Sequence, residues 1–290
     1  MYSIIPPKRR PRLSVAVPAS LVSDVPHLRE KTSKIGLVGR ALAMFRVDEV
    51  IIYPDHPERG QKEEAELIAL ILSFMETPQY LRKRLFRIRP ELRYVGILPP
   101  LRTPHHPLKN IMEELKVGEY REGVVVSVDE KGSKVDIGVG IPINVPNVSL
   151  PLNCRFTVKI IEVGKNPKAK VVNTEDVEAY WGYKTTISNV PFGRMLKERA
   201  FDLVIATSRH GKLLTEVKDD LVAKWRKSQE VLLAFGSPSE GLYYIVRREK
   251  LQLDEIADFV INTIPFQATE TVRTEEAIFS TLAILNFLII

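Results

Sequence analysis

The chain has 290 residues, 44% hydrophobic and 27% charged, with a formal charge of +6 and a pI near 9.2. That length favours two folded units or one domain carrying an insertion, and no apolar run is long and charge-free enough to span a membrane. A single cysteine, Cys154, excludes an internal disulfide and fits a reducing compartment, while the basic balance favours an anionic partner whose counterions are released on binding.

The opening MYSIIPPKRRPR holds no apolar export run, so a cytoplasmic protein is expected, and Lys8, Arg9, Arg10 and Arg12 read as a mobile basic arm. LSVAVPAS at 13–20 has the small and β-branched residues of a buried strand, stopped by polar residues. Residues 27–45 follow as a helix with apolar residues at helical spacing, and EVIIY at 49–53 as a second strand before Pro54. A crossover of that length makes the two strands parallel. QKEEAELIALILSFM at 61–75 is an amphipathic helix with acids in its first turn. Then comes the densest positive stretch, in which Arg82, Lys83, Arg84 and Arg87 surround Tyr80, Leu81, Leu85 and Phe86.

Composition changes near residue 90. From Tyr94 to about Val172, short Val-, Ile- and Gly-rich runs (YVGILPPL, EYREGVVVSVD, EKGSKVDIG, VGIPINV, RFTVKIIEV) between turns predict a small β-barrel. GKNPKAK at 164–170 reads as the hinge back to an α/β pattern. That pattern resumes with strands FDLVIATS and EVLLAFGS, a helix near 215–226 between them, then YYIVRREK, ADFVINTIPF and a closing helix over 273–287. The domains are therefore expected at 1–91, 92–170 and 171–290, the first and last forming one α/β fold.

Three segments fall at strand ends, where open α/β sheets bind ligands: ATSRHG from Ala206, FGSPSEGL from Phe235, and NTIPFQATETVRTEEA from Asn262. Glycines in the second allow close backbone approach. No GxGxxG follows the first strand, and there is no P-loop, HExxH or cysteine pair, so dinucleotide, phosphate-loop and zinc readings lack support. His105 and His106 are read as loop residues and no metal is expected. Trp181 and Trp225 are read as packing or dimer anchors, and the apolar end AILNFLII as buried within the fold or at a subunit interface.

FGSPSEGL, NTIPFQATETVRTEEAI, KIGLVGRALAMFRVDEVIIY and RLFRIRPELRYVGILPPLRTPHHPL together resemble the SPOUT superfamily, in particular the archaeal and eukaryotic RNA methyltransferases with an OB-like insert. The resemblance spans nearly the whole chain. It implies an α/β fold with a trefoil-knotted parallel sheet, a homodimer, and S-adenosylmethionine as methyl donor. By carry-over it places Thr207, Phe235, Gly236, Ser237, Gly241, Leu242, Asn262, Thr263, Ile264, Pro265, Gln267, Thr271 and Val272 around that donor. Ala268 stands where the family usually has glycine and Phe266 where it tends to have a small residue, so a left-handed backbone at 268 would strain alanine. Arg273 is the candidate catalytic side chain, as a phosphate or base contact.

The substrate implied is a structured RNA, ribosomal or transfer, held by Lys8, Arg9, Arg10, Arg12, Arg40, Arg82, Lys83, Arg84 and Arg87. Residues 118–163 contain only Tyr120 and Phe156 as aromatics, so the barrel should recognise backbone and shape. The competing reading is a non-catalytic RNA-binding or assembly factor that keeps the fold. A doubly wound metabolite enzyme is a further alternative, opposed by the glycine-free PASLVSD after the first strand.

Overall fold

A computed structural model of the chain describes residues 5–108 and 111–289, so Met1 and Ile290, the outer limits of the expected domains and of the apolar end, lie outside the described residues. The chain divides into two compact units, one of Met1–Lys8, Glu76–Arg89 and Pro100–Gly182, the other of Arg9–Met75, Pro90–Pro99 and Tyr183–Ile290.

The α/β unit opens with β1 (Arg12–Pro18), α1 (Leu28–Met44), β2 (Glu49–Tyr53) and α2 (Lys62–Glu76). The chain then builds the barrel unit with α3 (Gln79–Leu85), β3 (Tyr120–Asp129), β4 (Gly132–Asp136), β5 (Ile143–Pro146), β6 (Arg155–Glu162) and β7 (Lys168–Val171). It returns as β8 (Lys184–Ile187), α4 (Phe192–Glu198), β9 (Leu203–Leu213), α5 (Leu214–Lys227), β10 (Glu230–Ala234), α6 (Leu242–Arg248), α7 (Leu253–Ile256), β11 (Phe259–Asn262) and α8 (Thr274–Ile289).

Six strands in the order β11-β9-β10-β1-β2-β8 form one sheet, and every pairing in it is parallel. Residues 13–18 of β1 and all five residues of β2 are buried, the pattern of strands covered on both faces. One core packs Ala16, Ile51, Tyr53, Phe192, Leu232 and Ala234 with Leu242 and Val246 of α6. Parallel strands all point the same way, so the turns after β9, β10 and β11 emerge side by side at one edge.

The barrel unit is closed, in the order β3-β4-β5-β7-β6, around Val125, Val135, Ile143, Val145, Val158 and Ile160. Two sequence expectations change here. Residues 168–171 are β7 of the barrel, with Ala169 inside, so the lysine-rich stretch is no hinge. YVGILPPL contributes a single helical turn at Val95–Ile97 and no strand, because each of its neighbours Pro99 and Pro100 lacks the amide a ladder needs.

The basic arm is also corrected. Lys8 donates its amide to Glu178 O at 3.0 Å and its ammonium to Thr174 O at 2.6 Å and Glu175 O at 2.9 Å. Arg9 is buried and donates to Phe45 O at 3.0 Å and Asn286 Oδ1 at 2.7 Å. Burial, then the charge of Arg46, lowers its pKa to about 10. Its guanidinium ties α8 to the end of α1. Arg10 and Arg12 are exposed, Arg12 lying 3.7 Å from Glu230.

The barrel unit holds a buried polar network that no local pattern announces. Arg155 makes a two-pronged pair with Glu76, at 2.6 and 3.0 Å, and reaches Glu122 at 2.5 Å. Glu122 also accepts from Thr157 Oγ1 and Trp181 Nε1, both at 2.5 Å. The Nε2 atoms of His105 and His106 lie 2.9 and 2.6 Å from the Glu76 carbonyl, so the histidine pair braces a helix end, and Trp181 is buried against His105. Among the described residues no three potential ligands cluster as a metal site.

Burial alone would raise the Glu76 pKa, but the Arg155 charge and the His105 contact hold it well below the carboxylate range. Burial, reinforced by His105, lowers His106 to about 3 from 6.5. Both groups are depressed relative to the unfolded chain, so their contribution is present at neutral pH and disappears on acidification. For His106 the loss begins as pH falls through about 6.5, where the unfolded imidazole takes up a proton. Between pH 7 and 5 this amounts to about 2 kcal/mol, and Glu76 adds to it below about pH 4.5. Urea titrations across that range should show stability falling with pH, with a shallower fall in His106→Gln.

Candidate functional site

The first turn at the sheet edge is made by an interruption of pairing. β11 pairs Val260 with Ala206 and then Ile261 with Lys212, so residues 207–211 loop out of β9 while β11 advances by one residue. Gly211 is where the loop returns: a Cβ there would lie 2.7 Å from the Ile261 carbonyl carbon and Val260 O, so only glycine lets the strands close again.

The second turn follows β10. Phe235 is buried, its amide donating to Ala16 O at 3.0 Å and its carbonyl accepting from the Tyr53 hydroxyl at 2.6 Å. Beyond it the chain doubles back: Ser237 N–H donates to Glu240 O at 2.8 Å and Glu240 N–H to Ser237 Oγ at 2.9 Å. A Cβ on Gly236 would meet Glu240 O at 2.8 Å and Gly241 Cα at 3.0 Å, so the tightness of this turn requires that glycine. The third turn follows β11. Asn262 Oδ1 accepts from Ile264 N–H at 2.9 Å while Asn262 Nδ2 donates to Arg209 O at 3.1 Å, joining the first and third turns. Gln267 Nε2 reaches Thr269 O and Glu270 O at 3.0 and 3.2 Å, and Arg209 donates to Glu270 O at 3.2 Å.

The three turns and the start of α8 enclose a cavity of about 230 Å³. Of the residues expected at a cofactor, Thr207, Phe235, Gly236, Ser237, Gly241, Asn262, Thr263, Ile264, Gln267, Thr271 and Val272 line it. Leu242 is fully buried in the core and Pro265 is exposed, and neither is on the wall. Arg273 is exposed just before α8 and also off the wall. The left-handed backbone falls at Phe266, with φ 55°, and not at Ala268, so the strain expected at 268 is displaced by two residues.

The wall also includes residues the sequence reading did not assign: Ser208, Arg209, His210, Tyr243, Tyr244, Thr274, Ala277 and Thr281. Thr274, Ala277 and Thr281 recur at helical spacing on α8, a small-residue face legible in principle. Thr274 Oγ1 donates to Gly236 O at 3.3 Å, and the hydroxyls of Thr281 and Thr263 meet at 2.8 Å. Of the titratable wall groups, Glu240 is paired with Arg248, and Tyr243 donates to Asp254 at 2.9 Å. Arg209 Nε approaches His210 Nε2 at 3.2 Å, with Arg209 as donor, leaving the unprotonated ring nitrogen facing the guanidinium. The acids at the head of α8 are structural: Glu276 accepts from Arg273 N–H at 2.9 Å and Glu275 lies 3.3 Å from the buried Lys34 ammonium.

The residues expected to contact RNA are divided between the two units. Arg40 is half-buried on α1. On α3 of the barrel unit, Arg82 donates to Thr77 O at 2.9 Å and Arg84 pairs with Asp136 at 2.7 Å, while Lys83 and, just beyond, Arg87 are exposed. Tyr120 sits under the Lys159 ammonium at 5.0 Å and against Trp181, so it is a packed ring.

The family described as "Putative RNA methyltransferase" matches residues 12–285. An uncharacterized protein of Haloarcula marismortui is 33% identical, covering 94% of this chain and 98% of its own length. The 28S rRNA (uridine-N(3))-methyltransferases of Homo sapiens and Mus musculus are 29% and 31% identical, each across 94% of this chain and 77% and 76% of their lengths. A match over nearly the whole chain, covering both the parallel sheet and the barrel, places this protein in that family of RNA methyltransferases.

Proposed function

We propose that the chain is a SPOUT-class, knotted, homodimeric enzyme that transfers a methyl group from S-adenosylmethionine to N3 of a uridine in structured ribosomal RNA. In this reading the α/β unit is the methyltransferase domain and the barrel unit an OB-like insert, and the protein works in the cytoplasm, in keeping with its lone thiol. The observation that carries it is the convergence of three strand-end turns on one cavity. The residues present suit the donor: Ile264 and Val272 offer apolar wall, the Gly236 turn brings backbone polar groups close, and Asn262 and Thr263 add polar edges. When bound, the donor supplies an electrophilic methyl on a sulfonium.

Uracil presents an imide N–H between two carbonyl oxygens. His210 Nε2 and the Arg209 guanidinium offer the complement, an acceptor beside a donor, so the imide can displace the 3.2 Å Arg–His contact. His210 then takes the N3 proton and Arg209 stabilises the charge left on the carbonyl oxygens. Asn262 and Glu270 O hold Arg209 in place by its carbonyl and its guanidinium. Arg273, exposed beside the wall, is the candidate contact to RNA phosphate or base.

His210→Gln should reduce the methylation rate by about a hundredfold or more, with donor affinity retained. The reading as a whole is tested by nucleoside mass spectrometry of ribosomal RNA from cells with and without the gene. Loss of N3-methyluridine supports it; identical nucleoside profiles overturn it.

A further inference from the structure

Phe266 is 95% exposed and holds a left-handed backbone, φ 55°. A bulky residue rarely adopts that conformation, and a phenyl ring left in water gains nothing from burial. It follows Pro265 in a turn and stands between Ile264 and Gln267, both on the cavity wall. The ring is therefore presented outward where the third turn leaves the cavity. A second ring comes from the second turn: Tyr244, in the first turn of α6, is 60% exposed and lines the cavity, with the Arg247 guanidinium 6.0 Å from its centroid.

We propose that Phe266 and Tyr244 are the stacking rim for an unpaired nucleobase of the RNA, holding it at the cavity mouth. The proposal rests on the reading of RNA as substrate. Unstacked bases are bound on aromatic faces, with a neighbouring guanidinium adding cation–π attraction, and an enzyme that modifies a base edge must first free it from its helix. A second copy of the chain fits these rings less well. An interface needs a contiguous apolar patch, whereas Phe266 is followed by exposed Ala268, Thr269 and Glu270 and Tyr244 is followed two residues on by buried Val246 and then by exposed Arg247 and Arg248. Left-handed strain at a ring that makes no use of its own core is the signature of a residue kept for what it contacts.

The probe is a twelve-nucleotide oligouridine carrying one central 2-aminopurine, titrated against the full chain without methyl donor, with the same strand in a duplex as control. Phe266→Leu and Tyr244→Leu should each weaken single-strand binding by about 5- to 150-fold and abolish quenching of the 2-aminopurine, with an unchanged salt slope. Phe266→Gly removes the ring and relieves the backbone, so its melting temperature should be no lower than the parent's while quenching is lost. Lys83→Ala with Arg87→Ala should do the reverse, lowering the salt slope and preserving quenching. Quenching and affinity that survive both ring replacements overturn the stacking rim alone. Dissociation of a dimer by Phe266→Leu, seen by sedimentation, also overturns it, assigning the ring to a second copy. A parent chain that binds neither strand at low salt overturns the RNA reading with it.

Discussion

Gly236→Val should lower affinity for S-adenosylmethionine by at least about a hundredfold, equivalent to about 2.7 kcal/mol, while leaving a folded chain. The first added carbon would stand 2.8 Å from Glu240 O, 3.0 Å from Gly241 Cα and 3.1 Å from Leu242 N, all backbone atoms that cannot rotate away. The side chain thus strikes the turn itself, and the turn must open. Opening it breaks the Ser237–Glu240 bonds and moves the Gly236 carbonyl that Thr274 of α8 holds. The damage stays at the sheet edge, because Phe235 and Leu242 on either side are anchored in the core. Calorimetry with the methyl donor and a urea melt check the two halves of the expectation, and unimpaired donor affinity would mean that the second turn is not part of the binding wall.

Glu76→Gln should destabilise the barrel unit by about 3 kcal/mol, because it leaves the half-buried Arg155 charge with half its compensation. The native pair is bidentate, and Glu122, the other carboxylate on Arg155, is already shared with Thr157 and Trp181. Glu122 thus has little capacity to replace what Glu76 provides. Removing the charge as well, in Glu76→Gln with Arg155→Met, should recover much of the loss. Chemical denaturation of the full chain followed at Trp181 distinguishes this from a uniform effect. A double variant no better than the single one would show that the pair stabilises by packing rather than by charge.

What the sequence made legible follows the range of each signal. Strands β1, β2, β9 and β10 are runs of buried Val, Leu, Ile and Ala closed by Pro, Gly or Ser, a pattern contained in a few residues. β8, KTTI, escaped notice because an edge strand is half-exposed and its short polar text resembles a loop. β7 was hidden by lysines that alternate with the inward Ala169. Arg9 read as a solvated arm because nothing near it in the chain reveals Asn286 or the Phe45 carbonyl. The Glu76–Arg155–Glu122 network and the Arg209–Glu270 contact join residues separated by dozens of positions, and no periodicity encodes them. At the cavity, the three turn segments were readable as strand-end punctuation, whereas the wall residues of α8 and the displacement of left-handed backbone to Phe266 depend on how the turns fold together.

The central claim is that residues 207–211, 235–242 and 262–272 act as one receptor for the methyl donor. Amide hydrogen exchange with and without S-adenosylmethionine tests it directly. Coordinated slowing in all three segments, at one donor concentration and with the barrel unit unchanged, is the result this account predicts. Protection of a single segment, or none at millimolar donor, would contradict it.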